Sequence, residues 1–177
     1  MRAILWCLIF ATLVGCKAAV PGYSEFSSAV QDTTTLELFE GLPHPMFERE
    51  ARETELETAT HFRVGEDDFY SSALPISKDE ASEIREIALS NRFSKWQGES
   101  TCGGFHGDFL VRWKNDDGVW DMVLCFGCVD VKVFHGEEIL YADLGTTSED
   151  FAAILRDKQQ SRPTTDWVPP HKKPRMN

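Results

Sequence analysis

The chain is poor in positive charge. Its 177 residues contain 18 lysines and arginines against 29 aspartates and glutamates, which gives a formal net charge of −11 at pH 7. An acidic protein is repelled by the phosphate backbone of nucleic acids and by the headgroups of anionic lipids. The charge balance therefore argues against nucleic-acid binding and against electrostatic docking on an anionic membrane.

Long apolar runs are also lacking. The run from Ala3 to Val14 is too short for a helix that crosses the hydrocarbon core of a bilayer, which needs about 20 residues. Because Arg2 precedes it and the small residue Gly15 follows it, the run fits the hydrophobic region of a secretory signal peptide. The sequence thus predicts export and no membrane-spanning helix.

The residues around Cys16 refine this prediction. Leu13-Val14-Gly15-Cys16 resembles the lipobox of bacterial lipoproteins, which implies that residues 1–15 are a signal peptide and that Cys16 carries a diacylglycerol and usually a further acyl chain. Two or three chains, at roughly 0.8 kcal/mol per buried methylene, hold a protein on a membrane. Lys17 resembles the pattern of Gram-negative lipoproteins sent on to the outer membrane. The alternatives are an ordinary signal peptide with a chance cysteine and an uncleaved anchor.

Cysteine is sparse, with five residues in the chain. Cys7 would leave with the signal peptide and Cys16 would be lipidated. Cys102, Cys125 and Cys128 would remain in a compartment that favours disulfides. Because three is an odd number, at most one internal disulfide forms and one sulfur is left over.

Removal of residues 1–15 leaves 162 residues with one cation fewer and the same number of acids, hence a formal charge of −12. This length suits one domain with tails. Residues 16–35 are small and polar without a sustained period, which predicts a flexible tether. Residues 161–177 carry four prolines and a cluster of three cations, which predicts a disordered tail. A single domain is therefore expected over residues 36–160.

The order of the elements within this domain indicates its class. The capping-box pattern from Ser77 to Glu80 predicts a helix from about 78 to 90, and Thr147 begins a second helical pattern. Between them lie four short runs rich in β-branched and aromatic residues, which predict strands: "DFLVRW", "VWDMVLCF", "VDVKVF" and "EILYADL". The sequence therefore predicts an α+β fold, with an antiparallel sheet of about four to five strands and helices packed on one face. The earlier run "HFRVGEDDFY" predicts an additional edge strand.

A hairpin loop at Asn115–Gly118 sets the register of the first two strands, because it places an apolar stripe on one face. The predicted cross-strand pairs are Lys114–Val119, Trp113–Trp120, Val111–Met122 and Phe109–Leu124, with Arg112–Asp121 and Leu110–Val123 on the other face. Continuing this register brings "CGGFHGD" (102–108) and "CFGC" (125–128) together at one end of the sheet. These two stretches form the candidate site.

Three stretches carry a resemblance to a family. "EGLPHPMFE", "CGGFHGDF" and "LCFGC" are similar to an uncharacterised family of small bacterial lipoproteins of the planctomycete type. The resemblance covers roughly Leu36 to Leu155. In that family a proline often follows the histidine of the GFH motif, whereas Gly107 stands there in this chain. The resemblance implies the domain, and it implies no reaction.

The candidate site has two structural interpretations. A structural zinc ion would be held by a Cys₃His set, with two residues between the last two cysteines; its ligands would be Cys102, His106, Cys125 and Cys128. Another metal ion could be held by the same set, and no further cofactor is predicted. Alternatively, an exported domain favours a Cys102–Cys128 disulfide that contributes roughly 3–4 kcal/mol, with Cys125 a buried free thiol beside Asp108.

A catalytic interpretation would use Cys125 as nucleophile, His106 as base and Asp108 as the group that orients the base. Cys125 lies in a predicted strand, and no oxyanion loop is recognisable. No helix begins at "CFGC", so thioredoxin-type chemistry is not favoured. His44 could join the site if its loop folds over.

The sequence therefore favours an exported protein held on the membrane by its lipid anchor, in the cell envelope and on the outer membrane, facing the periplasm or the cell surface. The domain is expected to be non-catalytic and to act by binding or by structure, with a protein partner as one option. The alternative is a metal-dependent or thiol-dependent activity at the cysteine cluster.

Overall fold

The structure is a computed structural model that describes residues 20–33, 35–98, 104–155 and 157–162. The predicted signal peptide, Cys16 and Cys102 lie outside the described residues, as do residues 163–177 of the predicted tail. None of the described helices is long and apolar enough to cross a bilayer.

The described residues form four helices and eight strands. In chain order these are α1 (Tyr23–Gln31), β1 (Thr35–Glu40), α2 (Arg49–Thr58), β2 (His61–Val64), β3 (Asp67–Tyr70), α3 (Lys78–Leu89), β4 (Ser94–Lys95), β5 (Phe109–Asn115), β6 (Gly118–Cys125), β7 (Asp130–His135), β8 (Glu137–Asp143) and α4 (Thr147–Leu155).

Six strands form an antiparallel sheet in the order β1-β5-β6-β7-β8-β4, and β2 and β3 form a separate two-stranded sheet. The predicted α+β class is confirmed. The predicted number of four to five strands is too low, because β1 pairs with β5 and the two-residue strand β4 pairs with β8. The run "HFRVGEDDFY" is not an edge strand of the main sheet, because it turns at Gly65, where φ is +58°, and pairs with itself.

The predicted register of the β5–β6 hairpin is confirmed at every pair, including Trp113 opposite Trp120. Arg112 donates two hydrogen bonds, of 2.7 and 2.8 Å, to the carboxylate of Asp121 on the opposite face. A shift by one residue would exchange the two faces and bury this ion pair in place of the apolar stripe. The alternation of apolar and polar residues therefore specifies the pairing.

Different elements pack against the two faces of the sheet. Helices α1, α3 and α4 contribute buried side chains to one cluster with Phe109, Trp113 and Met122 from the sheet. The β2–β3 hairpin packs on the other face, where Phe69 meets Leu110 and Val123. Helix α2 buries no residue. The candidate site lies at the end of the sheet where β5 begins and β6 ends.

Helix α1 corrects the prediction of a flexible tether over residues 16–35, as far as residues 20–33 are concerned. Its residues Phe26, Ala29 and Val30 are buried, and their spacing places them on one face of the helix. The helix begins after Gly22, where φ is +76° and an added Cβ would lie 2.1 Å from the carbonyl oxygen of Ile139. The small and polar residues between the apolar ones obscured this helical spacing.

Candidate functional site

The two predicted stretches meet as expected, as far as they are described. The backbone N–H of Asp108 donates to the carbonyl of Leu124 at 2.8 Å. The carboxylate of Asp108 accepts a hydrogen bond of 2.8 Å from the N–H of Phe126. Asp108 therefore fixes the turn that follows Cys125. Cys102, at the start of the first stretch, lies outside the described residues.

Cys125 is a free thiol and only 2% exposed. Burial and the nearby carboxylate of Asp108 raise its pKa to about 12, although the backbone amides of His106 and Cys128 act in the opposite direction. The amide of Cys128 donates to the sulfur at 3.3 Å. The thiol is thus protonated at neutral pH, whereas the thiolate is the form that attacks substrates and binds metals.

Cys125 and Cys128 do not bridge each other, because Cys125 is a free thiol. Their spacing within the run "MVLCFGCVD" predicts this outcome, but on the ground that a regular strand points residues three apart to opposite faces. Strand β6 instead ends at Cys125, and residues 126–129 form a turn that ends at Val129 with a φ of +62°. The turn, and not strand alternation, sets the positions of the two sulfurs.

Cys128 is disulfide-bonded. Its partner cysteine lies outside the described residues, because Cys125 is the other cysteine within them and is free. The Cys128 sulfur lies 3.1 Å from the carbonyl oxygen of Gly104. This is a close contact, because a bonded sulfur has no proton to donate. A sulfur in this state cannot ligate zinc as a thiolate.

His106 is buried, and both of its ring nitrogens face oxygen atoms. Nε2 lies 3.0 Å from the carbonyl oxygen of Leu42, and Nδ1 lies 3.5 Å from a carboxylate oxygen of Asp108. His106 thus lies beside Asp108, but the Nδ1–carboxylate distance of 3.5 Å is longer than a hydrogen bond, so the orienting contact of the catalytic interpretation is not formed. Because Nε2 faces Leu42, this geometry does not present that nitrogen to the sulfur of Cys125 as a base would require.

The loop from Leu42 to Glu48 folds over the site, and His44 joins it as anticipated. The rings of His44 and His106 lie 4.6 Å apart. His44 Nδ1 accepts hydrogen bonds from the N–H groups of Met46 (3.1 Å) and Phe47 (3.4 Å). The N–H of His44 donates to the Glu48 carboxylate at 2.9 Å. The side chain of His44 thus stabilises the turn before α2.

We expect His44 to make the stability of the domain depend on pH. Burial and the neighbouring His106 lower the pKa of His44 from 6.5 to about 4. The unfolded chain therefore binds the proton more tightly, so the stabilisation is complete above about pH 6.5 and is lost as the pH falls toward 4, by about 3 kcal/mol. His44→Asn keeps an acceptor without a titrating group, so its urea-unfolding free energy should fall less over this range.

The exposed residue His135 provides the control for this measurement, because it lies outside the site. His135→Asn should retain the wild-type pH dependence. If the unfolding free energies of wild type and His44→Asn fall equally between pH 6.5 and 4, His44 is not the source of the pH dependence.

Two residues of the site were missed by sequence reasoning, Glu40 and Arg162. The Glu40 carboxylate accepts hydrogen bonds from three consecutive backbone N–H groups, of Gln160 (3.0 Å), Ser161 (2.7 Å) and Arg162 (3.1 Å). Ser161 and Arg162 thus belong to the folded domain, although the tail was expected to begin at 161. No sequence signal marks them, because they stand among polar residues next to a proline.

The guanidinium of Arg162 enters the site, and its side chain is only 3% exposed. It donates to the carbonyl of Leu42 at 2.5 Å and lies 3.4 Å from His106 Nε2. Carboxylate oxygens of Glu48 and Asp108 lie at 3.7 and 3.8 Å. Arg162 therefore offsets the negative charge of the two buried carboxylates.

Gly107 is required by the packing around it. An added Cβ would lie 2.7 Å from the ring of Phe69 and 2.8 Å from a methyl group of Val123. Its N–H donates to the Asp67 carboxylate at 2.8 Å. A proline at this position would have no N–H to donate. The glycine is thus coupled to Asp67 in this chain.

The described part of the chain contains no group of three or more His, Cys, Asp and Glu residues placed to hold a metal ion. The predicted zinc set includes Cys102, which lies outside that part. The geometry that is described favours positioning over proton transfer: backbone amides and an arginine contact the carboxylates, and the thiol is protonated. No protein-family model, no curated protein and no solved structure matches this chain.

Proposed function

We propose that the chain is an exported, lipid-anchored protein of the cell envelope whose domain is non-catalytic and acts by binding or by structure. The observation that supports the non-catalytic part is the state of Cys125. Its sulfur is buried, receives backbone hydrogen bonds and has a pKa of about 12. Thiol-dependent catalysis needs the opposite, a sulfur that ionises readily.

The remaining groups of the cluster support the same proposal through their contacts. Asp108 holds the Phe126 amide, His44 holds the turn before α2, and Glu40 holds the chain after α4. Each contact joins segments that are far apart in sequence or fixes a turn. Buried polar groups that are satisfied in this way give the fold a unique arrangement. The cluster thus has a structural role in this proposal.

Export and anchoring rest on the sequence from Arg2 to Cys16, with one supporting observation from the domain. Cys128 is disulfide-bonded, and stable disulfides are typical of proteins outside the cytosol. We assign its partner as Cys102, because the Cys128 sulfur contacts the carbonyl of Gly104, two residues further along the chain. The membrane is then the first partner of the protein, through the acyl chains on Cys16.

Replacing Cys16 with alanine should abolish incorporation of a palmitate analogue and release the protein from the membrane fraction, because no sulfur remains to carry the diacylglycerol. The measurement is metabolic labelling with fractionation of cells that express the full chain. Cys7→Ala, within the same apolar run, is the matched control and should label normally. Membrane attachment that is unchanged in Cys16→Ala would refute the anchor.

A further inference from the structure

Residues 157–162, which follow α4, form a segment that we name the strap. It contains no helix or strand. At one end, Lys158 Nζ donates to the carbonyl of Pro75 at 3.2 Å and lies 2.8 Å from the Glu80 carboxylate. At the other end, the strap reaches Glu40 and the loop that carries His44. The described attachment thus includes the side chains of Lys158, Glu40 and Arg162.

Glu40 contacts the strap through the strap's backbone. One carboxylate of Glu40, only 1% exposed, receives three consecutive N–H groups, from residues 160 to 162. Such a contact accepts any extended or turning chain with free amides, whatever its side chains are. It therefore supplies affinity for a peptide without selecting its sequence.

The contact with the Arg162 side chain makes the site selective for the residue at this position. Its guanidinium lies in a recess formed by the carbonyl of Leu42, the ring of His106 and the carboxylates of Glu48 and Asp108. A planar group with five donors can serve several acceptors at once, whereas a lysine ammonium is a point charge. The recess therefore suits arginine better than lysine.

The walls of this recess are held by bonds that do not involve the strap. The N–H of Gly41 donates to the carbonyl of Asp108, and the N–H of Leu42 donates to the carbonyl of Asp68, both at 2.9 Å. Asp108 is fixed by the Phe126 amide. A site whose walls are preformed binds its ligand without an ordering cost for the protein. The recess can therefore persist when the strap leaves.

We propose that the strap is detachable and that the site beneath it recognises an arginine-bearing extended peptide, with Glu40 binding the peptide backbone and the recess binding the guanidinium. The strap is the ligand in cis, and a segment of the same chemistry competes with it in trans. The acidic walls suit a cationic side chain. This inference goes beyond the proposed function and does not depend on the lipid anchor.

A labelled peptide with the strap's own sequence, Asp-Lys-Gln-Gln-Ser-Arg, tests the proposal by fluorescence polarisation against the full chain. It should bind the Arg162→Ala variant at least about tenfold more tightly than wild type, because the recess is then empty. The same peptide with lysine in place of arginine should bind the variant about tenfold more weakly. Arg92→Ala, which alters an ion pair with Asp150 elsewhere, should bind the peptide as wild type does.

Two outcomes would overturn the proposal. One is equal peptide affinity for Arg162→Ala and wild type, or a failure of Arg162→Ala to fold, because a detachable strap cannot be needed for folding. The other comes from hydrogen exchange on the wild-type chain. The amides of residues 160–162 should exchange much faster than those of β5 and β6, through local opening. Exchange of both groups at the same slow rate would show that the strap opens only with global unfolding.

Discussion

Replacing Asp108 with alanine is expected to lower the free energy of unfolding by about 3–5 kcal/mol, as the loss of one partner from a buried charged network does. The carboxylate is buried beside His106, accepts the Phe126 amide and lies 3.8 Å from the Arg162 guanidinium. Its removal takes the acceptor away from a buried amide and leaves the charge of Arg162 without one of its counterions. Urea unfolding followed by tryptophan fluorescence measures the loss.

Asp116→Ala is the control for this experiment, because Asp116 is exposed in the β5–β6 turn. Its effect should stay within about 0.5 kcal/mol. A loss of less than about 1 kcal/mol for Asp108→Ala would contradict the structural role of the cluster. In that case the residue would be free to serve a reaction.

Replacing Cys128 with serine should cost about 3–4 kcal/mol in the oxidised protein, because the disulfide that we propose between Cys128 and Cys102 removes conformational freedom from the unfolded chain over the loop of residues 102–128. The wild-type protein should lose a similar amount when a reductant is added. The Cys128→Ser variant should not respond to the reductant. Thermal or urea unfolding with and without reductant, in the full chain, provides all four values.

Cys125→Ala is the matched control, because it removes the free thiol and leaves Cys128 bonded. It should keep the response to reductant that wild type shows. Equal stability of wild type with and without reductant would refute the contribution of the disulfide. If Cys125→Ala loses the response to reductant, the disulfide involves Cys125, and its assignment to Cys128 is wrong.

The β-hairpin could be predicted from sequence because its information is local. Trp113, Trp120 and Met122 alternate with polar residues on both sides of a recognisable turn, and one register satisfies the pattern. Helix α3 could be predicted for the same reason. Its capping box at Ser77 and Glu80 is formed by hydrogen bonds of 2.8 and 3.2 Å, within a few residues of sequence.

The strap and helix α1 could not be predicted because their information is distant. The apolar residues around Phe26 follow helical spacing over a short stretch only, and serines lie between them. Phe26 becomes buried only through tertiary packing. Arg162 looks like the start of a polar tail until Glu40, far away in sequence, supplies an acceptor for its amide. Contacts of this kind leave no period in the sequence for pattern analysis to find.

The candidate site lies between these cases. The register of β5 and β6 places His106, Asp108 and Cys125 at one end of the sheet. This placement could be predicted from the alternation of apolar and polar residues in the two strands. The state of the thiol did not follow, because the pKa of Cys125 depends on complete burial and on the carboxylate of Asp108. Neither can be read from the spacing of two cysteines.

The proposed function depends most on Cys125 being a buried, protonated and structural thiol, and mass mapping of the full chain tests this directly. The protein is treated with a thiol-blocking reagent under non-reducing conditions, first native and then unfolded, and its zinc content is measured in parallel. We expect a Cys102–Cys128 disulfide, labelling of Cys125 only after unfolding, and no stoichiometric zinc. Rapid labelling of native Cys125, or three free thiols with about one zinc ion per chain, would contradict the structural role proposed for Cys125.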